Sequence, residues 1–353
     1  MSRILSRRPA RRLLVALVTL AAIDPFVPGL VDRLERARYE SPRTFRFENS
    51  DLFSLGPLVQ YLRAHPRGDR PRVLFFGNSI VWGYFLEPND SLPAQFQRLT
   101  GARVFNLGIN GFETGSAYVV TKQIVDAVDT IYLFHYGAGA HPMLPKLVRV
   151  EPRDLERFTL PSPDPVEGRL EHLVGLWWRL YRDAYRLQAA LFGTSTRQYV
   201  YRHKGSIPGA IWRVVSGRAV DGEGPPVPEP AVPADVVAVH TDVAPAPVTE
   251  ARRRELAAAH PLLWDYAELI RAHDKHAIVV EIDRSSSPVL DVAPSVLPSA
   301  RADLNRVFQP HVSFVTVAIP PALMIDRRHL SAAGARAVAR ALRDHAPPSG
   351  TGR

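Results

Sequence analysis

Three short segments of this 353-residue chain carry residue types that could act together on a carbonyl carbon. The first is Gly77-Asn78-Ser79, directly after the β-type run Arg72–Phe76 and ahead of Ile80-Val81-Trp82-Gly83. A serine at a strand-to-helix turn is exposed, and the free N–H groups that open the following helix can stabilise an anion. The same serine could equally serve as a helix N-cap. The second segment is Asn106-Leu107-Gly108-Ile109-Asn110-Gly111, whose glycines let a bare N–H face a ligand or simply make a βα turn. The third is Asp326-Arg327-Arg328-His329. Three-residue spacing sets the carboxylate and the imidazole on one side of a turn, so Asp326 can hold one ring nitrogen and leave the other as a base. An isolated Asp-x-x-His is also what a surface ion pair looks like.

The elements around these segments read as alternating strands and helices. Apolar runs at Arg72–Phe76, Ala102–Leu107, Thr130–Tyr136, Ala277–Asp283 and Val312–Ile319 are bounded by turn residues, and helical patterns such as Ser91–Leu99 and Ala117–Ala127 lie between them. That alternation predicts an α/β fold with a central parallel sheet of about five strands. All three segments then fall just past the carboxyl ends of strands, where such sheets bind ligands. Leu330, Gly334, Val338 and Leu342 form one stripe that would dock a helix over Ala332–His345 on the sheet. Neither GxGxxG nor GK[ST] follows any strand, so a nucleotide loop is not expected.

Taken together, the order, placement and spacing of the three segments resemble the SGNH hydrolases, the GDSL-type esterase and lipase superfamily. Gly77-Asn78-Ser79 matches the family's Gly-Asp-Ser block, which implies Ser79 as nucleophile. Asn106–Gly111 matches the second block, implying Gly111 as an oxyanion-hole donor beside the Ser79 N–H. Asp326 and His329 match the final Asp-x-x-His, completing a Ser-His-Asp triad. The resemblance covers roughly 71 to 140 and 275 to 346 and implies the flavodoxin-like three-layer SGNH fold. Its long insertion and basic-apolar amino terminus are similar to the branch that modifies cell-envelope polymers outside the bacterial membrane. One block departs: Gly139 of Tyr136-Gly137-Ala138-Gly139-Ala140-His141 stands where the family has an oxyanion asparagine. A backbone N–H of that glycine loop, His135 or His141 could replace it, His135 reading equally as a core histidine. A catalytically weak site is the remaining alternative.

Composition narrows the classes. There is no cysteine, which excludes disulfides, Cys-ligated zinc, iron–sulfur clusters and thiol catalysis. More than half of the net charge of +9 comes from Arg3, Arg7, Arg8, Arg11 and Arg12, so basicity is local and nucleic-acid binding is not expected. Behind those arginines, Leu13–Val31 would extend about 28 Å as a helix, near the ~30 Å of a bilayer core. The positive-inside rule then gives a signal anchor with the remaining chain outside the cytoplasm, periplasmic in a bacterium. A cleaved signal peptide and a buried core helix are the other readings.

The resulting organisation is a basic tail (1–12), a transmembrane helix (13–31), a stem (32–70), a first SGNH part (71–150), an insertion (151–259), a second SGNH part (260–346) and a disordered tail (347–353). The insertion begins with an aromatic stripe at helical spacing over Leu170–Phe192 and continues as a Pro/Ala/Val-rich linker over Asp221–Val248 expected to lack secondary structure. His273 and His276 have metal-ligand spacing but read as a solvated turn. Glu281 and Asp283 close the fourth apolar run and could approach the site. No cofactor or metal is implied. The expected activity is hydrolysis or transfer of acyl esters on a cell-envelope carbohydrate, with the membrane and envelope-assembly proteins as partners. The alternative is a non-catalytic, membrane-tethered binding or scaffold protein that keeps the fold, which Gly139 favours.

Overall fold

Runs of Val, Ile, Leu and Phe without polar alternation belong to strands covered on both faces, and the sheet is built from such runs. The computed structural model describes residues 7–40, 44–46, 55–65, 68–108, 114–135, 178–184, 187, 237–283, 297–326 and 329–345. Seven strands form one sheet: β1 (Phe45–Arg46), β2 (Arg72–Gly77), β3 (Arg103–Gly108), β4 (Thr130–His135), β5 (Ala238–His240), β6 (His276–Asp283) and β7 (Val312–Ala318). Their order is β1-β3-β2-β4-β6-β7-β5. Every pairing is parallel except that of β5 with β7. All six residues of β2, at the centre of the first half, are buried.

Helices cover both faces. Phe75, Tyr132, Ile278, Val280, Val315 and Val317 share one core with Phe96 of α5 (Leu92–Thr100) and with Val338 and Leu342 of α11 (Ala332–Asp344). On the other face lie α6 (Thr114–Ile124), α9 (Pro261–Ala272) and α10 (Leu297–Phe308), the last two reaching the sheet through Trp264, Phe308 and Phe314. A further helix, α8 (Glu250–Ala259), leads into α9 and buries Leu256. The docking stripe expected over residues 332–345 is therefore α11, with Val338 and Leu342 fully buried.

Two expectations change. The sheet has seven strands rather than about five, because both edge strands are too short to show periodicity. β1 lies within the stretch read as a stem, which also contains the end of α2 (Val27–Glu40) and α3 (Leu55–Ala64), the latter with Leu58 and Leu62 buried. β5 lies in the Pro-rich stretch expected to carry no secondary structure, and it extends the sheet because Ala238–His240 can pair with Thr316–Ala318. The tail 347–353 and most of the insertion lie outside the described residues.

The apolar amino-terminal run is also not one helix. α1 (Arg7–Ile23) ends at a 3₁₀ turn, Asp24–Phe26, with Pro25 at its start, before α2 begins. Among the described residues no helix is long and apolar enough to cross a membrane. Leu14, Val15, Leu17, Val18, Leu20 and Ile23 are exposed along α1. The chain divides into two bodies, residues 1–40 with 162–220 and residues 41–161 with 221–353. In the first, the Asp24 carboxylate accepts the Leu180 N–H at 2.6 Å, at the start of α7 (Arg179–Arg182).

Candidate active site

All three chemically interesting segments lie in the second body. α4 (Ser79–Trp82) starts where the Asn78 side chain caps it, accepting the Ile80 N–H at 3.0 Å. It stops at Gly83, whose φ of 83° favours glycine. This single turn is held against β3. The Asn106 side-chain amide donates to Val81 O at 2.9 Å, and its oxygen accepts the Gly108 N–H at 2.9 Å, with the whole side chain buried. A Cβ at Gly108 would lie 2.4 Å from the Trp82 nitrogen, so only glycine allows this approach.

The loop before α11 is tied as firmly. Ser331 donates to Leu323 O through both its N–H and its hydroxyl, each at 2.9 Å, and its Oγ caps α11 at Gly334 N–H. Ile325 N–H donates to His329 O at 2.8 Å, closing a narrow loop that Asp326 opens. Asp326 Oδ1 accepts the His329 backbone N–H at 2.6 Å, while Oδ2 faces His329 Nδ1 at 2.8 Å. The carboxylate can only accept, so Nδ1 carries the proton. His329 Nε2 is then a free acceptor, and it lies 3.0 Å from Ser79 Oγ. Ser79, His329 and Asp326 thus form one hydrogen-bonded chain, joined between residues 250 positions apart. A serine hydroxyl donating to such an imidazole has the geometry of an activated nucleophile.

The remaining candidates separate clearly. Gly111, Gly139 and His141 lie outside the described residues. His135 ends β4, with Nδ1 2.8 Å from Thr114 Oγ1, and burial, with His260 nearby, pushes its pKa down to about 4. It is therefore neutral at physiological pH. Glu281 is buried on β6 as the register partner of His135, and Asp283 ends the same strand. His273 meets Asp126 at 2.8 Å, and His276 stacks on His311. Among the described residues no group of three or more His, Cys, Asp or Glu could hold a metal ion.

Sequence reasoning missed two features of the site. Tyr84 and Phe85 lie against the His329 ring, with centroids at 4.9 and 5.5 Å. Arg46 of β1, almost wholly buried, donates to Trp82 O at 3.1 Å and lies over the Trp82 ring. The aromatic run Trp82-Gly83-Tyr84-Phe85, immediately after the serine turn, was the available signal for the first.

No protein-family model matches the chain, and no curated protein matches it. Among solved structures, it is similar to AlinE4, an SGNH-hydrolase family esterase, with 18% identity over 57% of this chain and 98% of that one, at a TM-score of 0.17. A serine-to-alanine mutant of the same esterase matches with 17% identity over the same shares and at the same TM-score. Similarity at that score adds nothing to the argument from geometry.

Proposed function

We propose that this chain is a serine ester hydrolase or O-acyltransferase of the SGNH type, anchored by its amino terminus and acting outside the cytoplasmic membrane on acyl esters of a cell-envelope carbohydrate. The observation that carries the chemistry is the hydrogen-bonded chain Ser79–His329–Asp326. Ser79 Oγ attacks the ester carbonyl as His329 Nε2 takes its proton, and Asp326 holds the ring in the competent tautomer. The new Oγ–C bond gives a tetrahedral oxyanion for which the Ser79 N–H is one donor and, as the resemblance of Asn106–Gly111 to the family's second block implies, Gly111 the other. His329 returns the proton to the alcohol oxygen as the C–O bond breaks, leaving acyl-Ser79. Water or a sugar hydroxyl, deprotonated by the same imidazole, then takes the acyl group, and His329 returns that proton to Ser79 Oγ as the acyl–Oγ bond breaks.

Membrane anchoring is supported by the arginines clustered at the amino-terminal end of α1 and the large apolar side chains from Leu14 to Ile23 that are exposed along the rest of it. The carbohydrate assignment rests on the resemblance of the motifs and insertion to the envelope-modifying branch.

The test is fluorophosphonate labelling of the full-length chain in detergent, with Ser79→Ala and His329→Ala beside it. Labelling of wild type that both variants lose is the expected result. A folded wild type that does not label would replace this reading with the non-catalytic scaffold.

A further inference from the structure

Among the described residues of the second body, the exposed large apolar side chains are Tyr84, Phe85, Val243 and Ile325. Three of these four flank the triad: Ile325 precedes Asp326 in the chain, and Tyr84 and Phe85 lie against His329. Exposed large apolar side chains grouped beside reactive groups are a common mark of ligand contact.

Phe85 is the most informative of them. Leu86 N–H donates to Gly83 O at 3.0 Å, closing a four-residue turn over 83–86. Phe85 occupies its third position with a φ of 68°, the conformation a type II turn normally assigns to glycine or asparagine. A bulky residue there is strained. The strain does not serve the core, because Phe85 is 64% exposed. What it achieves is to hold the Phe85 ring edge-on to His329, at 90° and 5.5 Å, and against Tyr84 at 4.4 Å and 69°. The two rings make a corner with one apolar wall and one wall bearing a hydroxyl. Arg46 fixes the base of that corner through Trp82, whose ring lies 6.0 Å from Tyr84.

The part of the substrate this corner meets follows from the proton path. His329 Nε2 must hand its proton to the departing alcohol oxygen, so the alcohol sits beside the imidazole while the acyl oxygen points to the backbone N–H groups. We infer that Tyr84 and Phe85 form the alcohol subsite, and that they take a pyranose ring, its C–H face on Phe85 and a hydroxyl within reach of Tyr84. Aromatic faces are electron-rich and sugar C–H groups are weakly positive, which suits that contact. A long alkyl alcohol would instead call for a continuous apolar trough without the phenol. This inference rests on the ester-hydrolase reading given above.

The deciding variant is Phe85→Asn, which tolerates the left-handed turn and removes the ring. For the full-length enzyme, kcat/KM is measured on an acetylated methyl pyranoside, on methyl acetate and on octyl acetate. The expected result is an about tenfold fall in the pyranoside-to-methyl-acetate ratio, from loss of roughly half of a buried Phe side chain. An unchanged ratio would overturn the subsite. A fall confined to octyl acetate would overturn the sugar assignment. If wild type turns over no ester at all, the hydrolase reading fails by itself. Calorimetry with the acetylated pyranoside then decides the subsite: Ser79→Ala must bind it more tightly than Ser79→Ala/Phe85→Asn, and equal binding overturns the inference.

Discussion

The side-chain amide of Asn106 donates to the carbonyl of Val81 at 2.9 Å, while its oxygen accepts the N–H of Gly108. One buried residue at the end of β3 thereby fixes the turn that presents Ser79. Replacing Asn106 by Leu leaves two buried backbone groups without their partner, at a cost of about 1–3 kcal/mol each. Chemical denaturation should show that loss. Ester turnover should fall as well, because the Ser79 turn is freed from β3; wild-type stability in Asn106→Leu would refute the clamp.

Asp326 serves His329 twice, through its backbone N–H and through Nδ1. Asp326→Asn keeps the size but can present an N–H to Nδ1, moving the ring proton to Nε2, where it faces Ser79. The expected loss in kcat/KM is about 10²–10⁴, with the lower end favoured because the Asp326 side chain is 42% exposed. Hydrolysis of an aryl ester, followed beside the thermal midpoint, checks this. Loss of activity with an unchanged midpoint is the signature of a tautomer effect rather than of unfolding.

His135 makes the fold acid-sensitive. Its pKa is pushed from 6.5 to about 4 by burial, with His260 contributing. Between those two values the unfolded chain binds a proton that the native state refuses, so stability falls as pH drops from about 6.5 towards 4 and is fully present above that window. A shift of this size corresponds to about 3 kcal/mol. Urea unfolding of wild type and His135→Gln at pH 7.5 and 4.5 tests it. The variant should lose distinctly less stability on acidification, and parallel losses in the two proteins would remove His135 as the cause.

Gly334 lies where α11 touches the loop that carries His329. A Cβ there would sit 2.1 Å from Leu323 O, the same oxygen that receives both Ser331 hydrogen bonds. Gly334→Ala must displace Leu323 or the helix, costing about 1–3 kcal/mol. The displacement reaches Asp326 and His329 through the Ser331 staple, so turnover should drop more than in a surface Gly→Ala control of equal stability.

The central strands were readable because each is a run of apolar residues between turn signals: Thr130 opens β4 and Asp283 closes β6 where the sequence puts them, with other ends within a residue or so. Ser79, His329 and Asp326 were readable as types at the ends of strands, since a parallel sheet brings those ends together whatever their separation in the chain. β1 and β5 were not, because two or three residues carry no period, and their pairing is decided by the sheet edge they meet. Nor was the contact between Phe85 and His329, which depends on a backbone angle that phenylalanine seldom adopts. Asn106 was visible as part of a glycine-bearing turn, yet its clamp on Val81 depends on how close β3 comes to α4.

Those short edges have a consequence for the protein in solution. An open sheet normally offers two rows of unpaired backbone groups on which another chain can crystallise as an added strand. Here one border ends in the two residues of β1, and the other in the three residues of β5, running against its neighbour. Among the described residues, neither short edge strand by itself offers a long row of backbone groups to a foreign strand. The sheet is in this way less open to the ribbon-like polymerisation to which longer exposed borders are prone.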